Sequence, residues 1–321
     1  MSLVRRIGLI GSGAMLGRCI HIAEREPDAK VAIVLTRTRT QKNNSAANAF
    51  CKKKGIPFLT YESLRDSSVQ AAFSEAGLDL LISVYNPDIL KADILDRVGV
   101  AINFHDSELP KYAGRHAVSW AILNGERQHG VTWHVITPVV DGGDIVSQTV
   151  LSVSKTATAL SLAVDCIGAG CAALEDSLGG VLRGDRAFHP QDLTKRSYYS
   201  AKMKPFDGKL PLSESYDVLE RLARATDYYP AENPFFVPKL IVNSEVVDIV
   251  RFRVCRPPPS QSEGIIVGID EQGVLISARY ACIRAELVCA SGSIEALPAA
   301  QFASLKRWKV GDFVEIPTGA D

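Results

Sequence analysis

The sequence lacks an excess of charge of either sign, since 36 Lys and Arg residues balance 36 Asp and Glu residues. Nucleic-acid binders draw much of their affinity from a positive field. The neutral total therefore weighs mildly against a large RNA partner, although a local basic patch is compatible with it. Long apolar runs are also missing. No stretch approaches the ~20 residues that cross a bilayer, so we expect no membrane span.

Paired cysteines are lacking as well. The seven cysteines are odd in number and include no C-x-x-C pair, which argues against a disulfide framework and against a zinc site. No other cluster of residues has the spacing of metal ligands. We therefore expect a reduced, cytoplasmic compartment and no metal ion.

Apolar residues are abundant: 46% of the 321 residues are hydrophobic, which is enough for two sizeable cores. In the first half, short apolar runs alternate with helical patterns. This alternation predicts an α/β fold with a doubly wound, mostly parallel, Rossmann-like sheet. Short strand-like runs with turn signals follow and predict a small β-barrel or sandwich. We place a catalytic domain at residues 1–182, a linker at 183–212 and a β-rich domain at 213–321.

The elements of the first domain follow from the same patterns. The predicted strands are Arg6–Ile10, Val31–Thr36, Leu78–Val84, Val98–Ile102, Val131–Ile136 and Ile145–Leu151. The predicted helices are Met15–Arg25, Ala46–Lys54, Ile89–Arg97, Ala117–Asn124 and Thr156–Leu178.

A glycine-rich turn, Gly11, Gly13 and Gly17, follows the first predicted strand in the pattern G-x-G-x-x-x-G. The pattern is a loose relative of the dinucleotide-binding fingerprint, so an NAD(P)-dependent oxidoreductase is one hypothesis. Thr36 and Arg37 stand where an NAD enzyme usually has an acidic residue, which leaves NADP, held by Arg37. The alternatives are that small residues let the first helix pack closely on the sheet, or that the turn binds another ligand.

The chemistry is concentrated at two polar loops. Asn103 and His105 follow the apolar run Val98–Ile102, and their spacing of two places both side chains on one face of a strand. Asp141 lies in the loop between the next two predicted strands, and we expect the two loops to meet at the carboxyl edge of the sheet. Asn103 can donate to an oxyanion, His105 can move a proton, and Asp141 can orient His105 or take a proton itself. Without a Ser or Cys in a recognisable elbow, direct acyl transfer to an amine is the simplest reaction.

These residues are part of a longer set of matches. The set is Asn103, His105, Ser107, Leu109, Pro110, Tyr112, Gly114, Trp120, Ala121, Ile122, Asn124, Gly125, Gly130, Val131, Thr132, His134, Asp141, Gly143, Asp144 and Ile145. Through this set the sequence resembles the formyltransferases that use 10-formyltetrahydrofolate. That family includes methionyl-tRNA formyltransferase, nucleotide-amino-sugar N-formyltransferases and glycinamide ribonucleotide formyltransferase. The resemblance implies that Asn103, His105 and Asp141 are catalytic and that 10-formyltetrahydrofolate is the co-substrate.

The resemblance also implies a folate pocket with one wall near Leu80–Pro87 and the other at Ile136–Asp141. The implied folate contacts are Tyr85, Asn86, Pro87, Ile89, Ile136, Val139 and Val140. His134 lies on an apolar strand, and we assign it to packing or at most to the support of a catalytic residue. The second domain resembles the open β-barrel of the OB type that follows the catalytic domain in the tRNA enzymes and in some sugar enzymes.

The sequence leaves the amine acceptor open. The candidate acceptor contacts are Gly11, Gly13, Glu108, Lys111 and Arg115, and the two cations would suit a phosphate-bearing acceptor. The acceptor classes are an amino sugar on a nucleotide, an amine on a carrier or natural product, and the aminoacyl group of a tRNA. The segment Arg37–Asn44 is shorter and less basic than the inserted loop that the resemblance would imply for a tRNA enzyme. This difference and the neutral total charge lead us to prefer a small amine over tRNA. A formyl-folate hydrolase, with water replacing the amine, would use the same geometry.

Overall fold

The computed structural model describes residues 4–185, 187–256, 263–293 and 295–316. The chain divides into two compact units. The first unit comprises Met1–Gly114, Gln128–Ser152 and Val164–Tyr198, and the second comprises Arg115–Arg127, Val153–Ala163 and Tyr199–Asp321. The sequence-based domain boundaries after residues 182 and 212 stay a prediction.

A seven-stranded sheet organises the described part of the first unit. Its strands are β1 (Arg5–Gly11), β2 (Ala29–Arg37), β3 (Phe58–Tyr61), β4 (Leu78–Val84), β5 (Val98–His105), β6 (Gln128–Val135) and β7 (Ile145–Ser152). Their spatial order is β3-β2-β1-β4-β5-β6-β7. All pairs from β3 to β5 are parallel, whereas β6 runs antiparallel to β5 and β7 antiparallel to β6. The predicted α/β class with a doubly wound, mostly parallel sheet is confirmed.

Five helices of the described ranges lie between these strands along the chain, and a sixth follows the last strand. They are α1 (Gly13–Arg25), α2 (Ser45–Lys54), α3 (Ser67–Ala76), α4 (Ala92–Leu95), α5 (Ala117–Leu123) and α6 (Ala159–Arg183). A 3₁₀ helix, Thr38–Asn44, fills the short segment between β2 and α2. Two short strands, Ala113–Gly114 and Tyr198–Tyr199, lie outside the seven-stranded sheet.

One predicted helix differs from the structure, and two elements of the structure were not predicted. The predicted helix Ile89–Arg97 is wrong in extent, because only α4 is helical. The Asn86 side chain forms a local turn with the backbone two residues later. Its Oδ1 accepts from the Asp88 N–H at 3.2 Å and its Nδ2 donates to the Asp88 carbonyl at 3.0 Å. Such local bonds compete with helix formation. Strand β3 and helix α3 were not predicted. Strand β3 is a four-residue edge strand with one fully buried side chain, so its apolar pattern is weak.

Strand β5 lies inside the sheet and presents two different faces. Phe104 packs against α6, where a Cβ on Gly170 would lie 2.2 Å from the phenyl ring. Trp133 of the neighbouring strand contacts the same ring at 5.5 Å between centroids and donates its Nε1–H to the Gly170 carbonyl at 2.8 Å. Gly170 thus allows the helix to approach this strand closely. The side chains on either side of Phe104 consequently face away from α6.

The second unit contains helices α5, α7 (Tyr216–Thr226) and α8 (Ala299–Lys306), together with an antiparallel, curled sheet. Its strands are β8 (Lys239–Val242), β9 (Glu245–Cys255), β10 (Ile266–Asp270), β11 (Gly273–Ala278), β12 (Ala281–Ala290), β13 (Leu297–Pro298) and β14 (Val314–Glu315). The strand order is β10-β11-β12-β9-β8-β14, and β13 pairs with β12. The predicted β-rich C-terminal half is confirmed, whereas the short helix α8 was not predicted.

The described ranges contain neither a candidate membrane span nor a candidate metal cluster. No helix there is both long enough and apolar enough to cross a bilayer. The same residues include no group of three or more His, Cys, Asp or Glu side chains that could hold a metal ion. The cysteines are free thiols, nearly all of them buried, where cysteine packs as a small apolar side chain.

Alanine substitutions at Gly11 and Gly17 of the glycine turn should affect the free energy of unfolding differently. A Cβ on Gly11, whose φ is +150°, would lie 1.8 Å from the Val84 carbonyl oxygen on β4, whereas a Cβ on Gly17 would meet no atom within 4 Å. We expect Gly11→Ala to lower the free energy of unfolding by about 1–3 kcal/mol, because β1 and β4 must separate. Gly17→Ala should be neutral or should raise it by ~0.5–1 kcal/mol. Urea titration measures both, and equal stabilities would contradict the close approach.

Candidate active site

Asn103 and His105 lie on the face of β5 opposite Phe104. The antiparallel register pairs Asn103 with His134 and His105 with Thr132 on β6. Directly paired residues share a face of a sheet, so an amide, two imidazoles and a hydroxyl lie together at this edge. Ser83 at the end of β4 pairs with Asn103 from the other side, and its hydroxyl donates to Asn103 Oδ1 at 2.8 Å.

Asp141 reaches this face from the turn between β6 and β7. The turn requires glycine at position 143, where a Cβ would lie 2.0 Å from the Val135 carbonyl oxygen. Asp141 itself has a left-handed backbone conformation, with φ of 50°, which is uncommon for a residue other than glycine. Its Oδ2 accepts from the Gly114 N–H at 2.7 Å. Backbone geometry therefore directs the carboxylate toward the two imidazoles.

The imidazole of His105 is held from both sides. Its Nε2 lies 2.8 Å from the Tyr112 carbonyl oxygen, and since a carbonyl only accepts, Nε2 carries the hydrogen. Its Nδ1 faces Asp141 Oδ2 at 3.8 Å, and both side chains are about nine-tenths buried. Nδ1 is therefore the ring nitrogen free to exchange a proton with a substrate.

His134 connects the amide to the carboxylate. Its Nδ1 donates to the Val135 carbonyl at 2.9 Å, and its Nε2 lies 3.2 Å from Asn103 Nδ2 and 3.5 Å from Asp141 Oδ1. In the neutral form Nε2 accepts from Asn103, and in the protonated form it donates to Asp141. His134 thus contacts two of the three predicted catalytic residues, which is a larger role than packing.

The carboxyl group of Asp141 is held in its charged form. Burial, the largest influence on this group, would raise its pKa. The charge of His105, the hydrogen bond and charge of His134 and the Gly114 N–H act in the opposite direction and prevail, so the pKa lies well below the ordinary value of an aspartate. At neutral pH the site therefore contains a buried negative charge beside two imidazoles.

Hydrogen bonds to β6 hold the loop that follows His105 in place. Thr132 donates its hydroxyl to the Ser107 carbonyl at 2.7 Å and accepts from the Leu109 N–H at 3.2 Å. Ser107 Oγ donates to the Lys111 carbonyl at 2.7 Å. These bonds bring the loop back to the strand it has left, and they deliver the Tyr112 carbonyl to His105 Nε2.

A cavity of about 330 Å³ lies on this part of the sheet. Ala101 lies two residues before Asn103 on β5, and Ile136 lies two residues after His134, so their side chains continue the face that carries the polar groups. The cavity is lined by Leu95, Val98, Gly99, Val100, Ala101, Val135, Ile136, Thr137, Asp144 and Phe188. A mainly apolar pocket next to a few convergent polar groups is typical of a small-molecule site.

Several of the residues predicted to contact folate are apolar and exposed. Ile89 is 67% exposed and Val139 51%, and Tyr85 and Val140 are also exposed. Of the predicted set, Ile136 lines the cavity described above, whereas Pro87 and Ile89 line a second cavity of about 360 Å³ next to Arg37. Asn86 is engaged with Asp88 and with the Tyr61 hydroxyl.

The predicted acceptor contacts have partners within the protein. Lys111 Nζ lies 3.6 Å from Glu108 Oε2, so these two loop charges face each other. The Gly13 N–H donates to Asn44 Oδ1 at 2.8 Å, and Gly11 serves the close approach of β1 to β4. Arg115 is exposed and follows Gly114, whose N–H binds Asp141.

The sequence predicted Asn103, His105 and Asp141, which the structure brings together, but it did not single out several buried polar groups. Ser83 interrupts the apolar run of β4, and this interruption was a usable signal. Asn44 is buried and donates to the Thr36 hydroxyl at 2.6 Å, but it lies in a polar stretch without periodicity. Arg37, which NADP would require, is paired with Asp88 at 2.8 Å.

Residues 7–171, just over half of the chain, match the family model described as formyl transferase. A methionyl-tRNA formyltransferase from Ruminiclostridium cellulolyticum is 28% identical over 276 residues, which cover 84% of this chain and 82% of that protein. None of these findings supports the NADP-dependent oxidoreductase or the formyl-folate hydrolase that the sequence left open.

Two solved structures share the fold at low sequence identity. An N-formyltransferase from Helicobacter canadensis, in complex with folinic acid and dTDP-3-aminofucose, gives a TM-score of 0.64 at 16% identity and covers 88% of this chain and 99% of that chain. HypX from Aquifex aeolicus, in complex with tetrahydrofolic acid, gives a TM-score of 0.67 at 15% identity and covers 97% of this chain. The chain spans about half of HypX, with 51% of that protein covered.

The low pKa of Asp141 predicts a pH dependence of stability. The folded-state pKa lies below the value of about 3.9 for an unfolded aspartate, so this contribution is fully present above that unfolded value and is lost as the pH falls towards the folded-state pKa. Asp141→Asn removes the titration. Between about pH 5 and about pH 3, we expect the free energy of unfolding to fall more steeply for the wild type than for the variant. Parallel curves in urea titrations would contradict the lowered pKa.

Proposed function

The chain belongs to the formyl transferase family, and we propose that Asn103, His105 and Asp141 carry out its reaction. The enzyme is an N-formyltransferase whose formyl donor is 10-formyltetrahydrofolate. The observation that supports the assignment is the position of His105, which lies between the Tyr112 carbonyl and the Asp141 carboxylate on the same strand face as Asn103.

These three groups suit direct transfer. The neutral amine attacks the formyl carbon, and the carbonyl oxygen becomes an oxyanion that accepts hydrogen bonds from Asn103 Nδ2 and from the protonated His105 Nδ1. The C–N10 bond then breaks. As that bond breaks, His105 Nδ1 gives its proton to N10 of the folate and then takes the proton that the amine nitrogen loses. The products are the formamide and tetrahydrofolate, and Asp141 stabilises the imidazolium form of His105 at the start and at the end of the cycle.

We further propose that the cavity lined by Ala101 and Ile136 takes the pteridine of the donor. The continuity of its strand face with Asn103 and His134 supports this assignment, because a donor seated there would present its formyl group to the polar edge. The exposed apolar side chains Ile89 and Val139 would gain burial when the donor binds. Tyr85, Asn86, Pro87 and Val140 complete the proposed contact set.

For the acceptor we propose a small amine, either on a nucleotide-linked sugar or on a carrier. The neutral total charge and the short 3₁₀ segment Thr38–Asn44 after β2 support this choice. Methionyl-tRNA is the second candidate, because the relative from Ruminiclostridium cellulolyticum carries that activity in its name. Formyl-folate consumption measured against nucleotide amino sugars, carrier-linked amines and charged methionyl-tRNA separates them. Turnover confined to the charged tRNA would overturn our preference.

Loss of any catalytic side chain should abolish most of the turnover. We expect Asn103→Ala, His105→Ala and Asp141→Ala each to lower kcat by at least ~100-fold, since each removes an oxyanion donor, a proton carrier or the charge that supports it. The matched control is His21→Ala, which removes an exposed histidine of α1. Steady-state release of tetrahydrofolate measures all four, and near-wild-type kcat in a variant would remove that residue from the mechanism.

Arg115 tests whether the acceptor carries a phosphate. A guanidinium forms charge-assisted, bidentate bonds with phosphate, so we expect Arg115→Ala to raise the KM of the acceptor by about tenfold and Arg115→Lys to recover part of it. The KM of formyl-folate should stay unchanged and serves as the internal control. A rise in both KM values, or in neither, would exclude Arg115 from acceptor recognition.

A further inference from the structure

The segment His189–Ser197, here called the strap, belongs to the stretch that the sequence assigned to a linker. In the structure it belongs to the first unit and contacts other segments of that unit at several points. His189 and Ile145, the first residue of β7, exchange two backbone hydrogen bonds, at 2.8 and 2.9 Å. A linker that only joins two domains needs no such contacts. The segments that the strap contacts therefore indicate its role.

The strap first holds the turn that carries Asp141. Gln191 donates its Nε2 hydrogens to the carbonyls of Asp141, at 3.0 Å, and of Gly143, at 2.6 Å. Arg196 donates to the carbonyl of Val140 at 2.7 Å. The Gln191 Oε1 is buried and has no partner among the described residues, so the hydrogen bonds of this amide are all made to the turn. Three carbonyls of the turn thus depend on the strap.

The strap also holds the loop on the other side of His105. Ser197 Oγ accepts from the Tyr112 N–H at 2.7 Å, and the Ser197 carbonyl accepts from the Ala113 N–H at 2.9 Å. Tyr112 has a left-handed conformation, with φ of 56°, as Asp141 has. A non-glycine residue keeps such a conformation only when its surroundings impose it.

These contacts converge on one side chain. The Tyr112 carbonyl binds His105 Nε2, and the Asp141 carboxylate faces His105 Nδ1. We infer that the strap aligns the catalytic histidine, with Gln191 and Ser197 as positioning residues that act through Asp141 and Tyr112. The inference rests on the proposed function, because it assigns the strap to the service of His105. A displacement of a few tenths of an ångström at either partner would turn Nδ1 away from the reacting atoms, to which catalysis is sensitive.

Full-length variants test the inference. We expect Gln191→Ala to lower kcat by about tenfold or more, and the nearly isosteric Gln191→Glu to lower it at least as far, because a carboxylate cannot donate to the two carbonyls. Ser197→Ala should lower kcat about three- to tenfold, whereas Ser197→Thr, which keeps the hydroxyl, should stay within about twofold of the wild type. A low kcat in Ser197→Ala together with a near-wild-type kcat in Ser197→Thr would assign the effect to the Ser197 hydroxyl.

The matched control is Asn233→Ala in the second unit. The Asn233 amide donates to two backbone carbonyls, at 3.0 and 2.7 Å, and also accepts two N–H groups. The Asn233→Ala variant therefore loses at least as many hydrogen bonds as the Gln191→Ala variant. We expect it to lower the melting temperature by a similar or larger amount and to leave kcat unchanged. A fall in kcat equal to that of Gln191→Ala would assign the effect to stability and overturn the inference.

A double variant shows whether Gln191 acts through Asp141. In the Asp141→Ala background, Gln191→Ala should lower kcat by less than about twofold, because the group it positions is gone. Wild-type kcat in folded Gln191→Ala and Ser197→Ala, with Asp141→Ala inactive, would refute the strap inference and leave the proposed function intact. Near-wild-type kcat in Asp141→Ala would instead refute the proposed function. If the Gln191 variants do not fold, the Ser197 pair decides.

Discussion

The geometry of the site depends on one constraint, which is that the protein holds the His105 imidazole from both sides. Nε2 donates to the Tyr112 carbonyl, and Nδ1 faces the Asp141 carboxylate. The strand beneath is fixed because Phe104 packs against α6 at Gly170, where only glycine fits. The two loops that supply the partners are tied back to the sheet by hydrogen bonds. The fold therefore fixes a rotatable side chain at a single orientation.

Electrostatics distinguish the roles of the three polar groups. Burying an unpaired carboxylate is costly, and Asp141 avoids this cost through His105, His134 and the Gly114 N–H. The same contacts hold the pKa of Asp141 well below its ordinary range, which makes this carboxylate a weak base. It is better suited to stabilise a protonated His105 than to remove the proton of the amine itself. His134 then links this charge to the orientation of the Asn103 amide.

Local patterns predicted much of the fold and part of the site. The spacing of two between Asn103 and His105 required only that β5 continue through them, and the alternation of strands and helices gave the parallel sheet. Contacts between distant segments have no such period. The strap lies in a polar, Pro-containing stretch that resembles a linker, and its hydrogen bonds to the Asp141 turn are visible only in three dimensions. The helix predicted over Ile89–Arg97 is shorter in the structure, where α4 spans only Ala92–Leu95 and the Asn86 side chain binds the backbone of Asp88 before it.

We propose that the formyl group is transferred at this edge of the sheet. A crystal structure of the protein with 5-formyltetrahydrofolate, a folate of the kind bound by the Helicobacter canadensis relative, tests it most directly. We expect the pteridine to lie in the cavity lined by Ala101 and Ile136, with N10, the nitrogen that carries the formyl group in the donor, turned toward Asn103 and His105 Nδ1. A fully occupied folate bound elsewhere, with N10 too far from Asn103 and His105 for either side chain to reach it, would contradict this assignment.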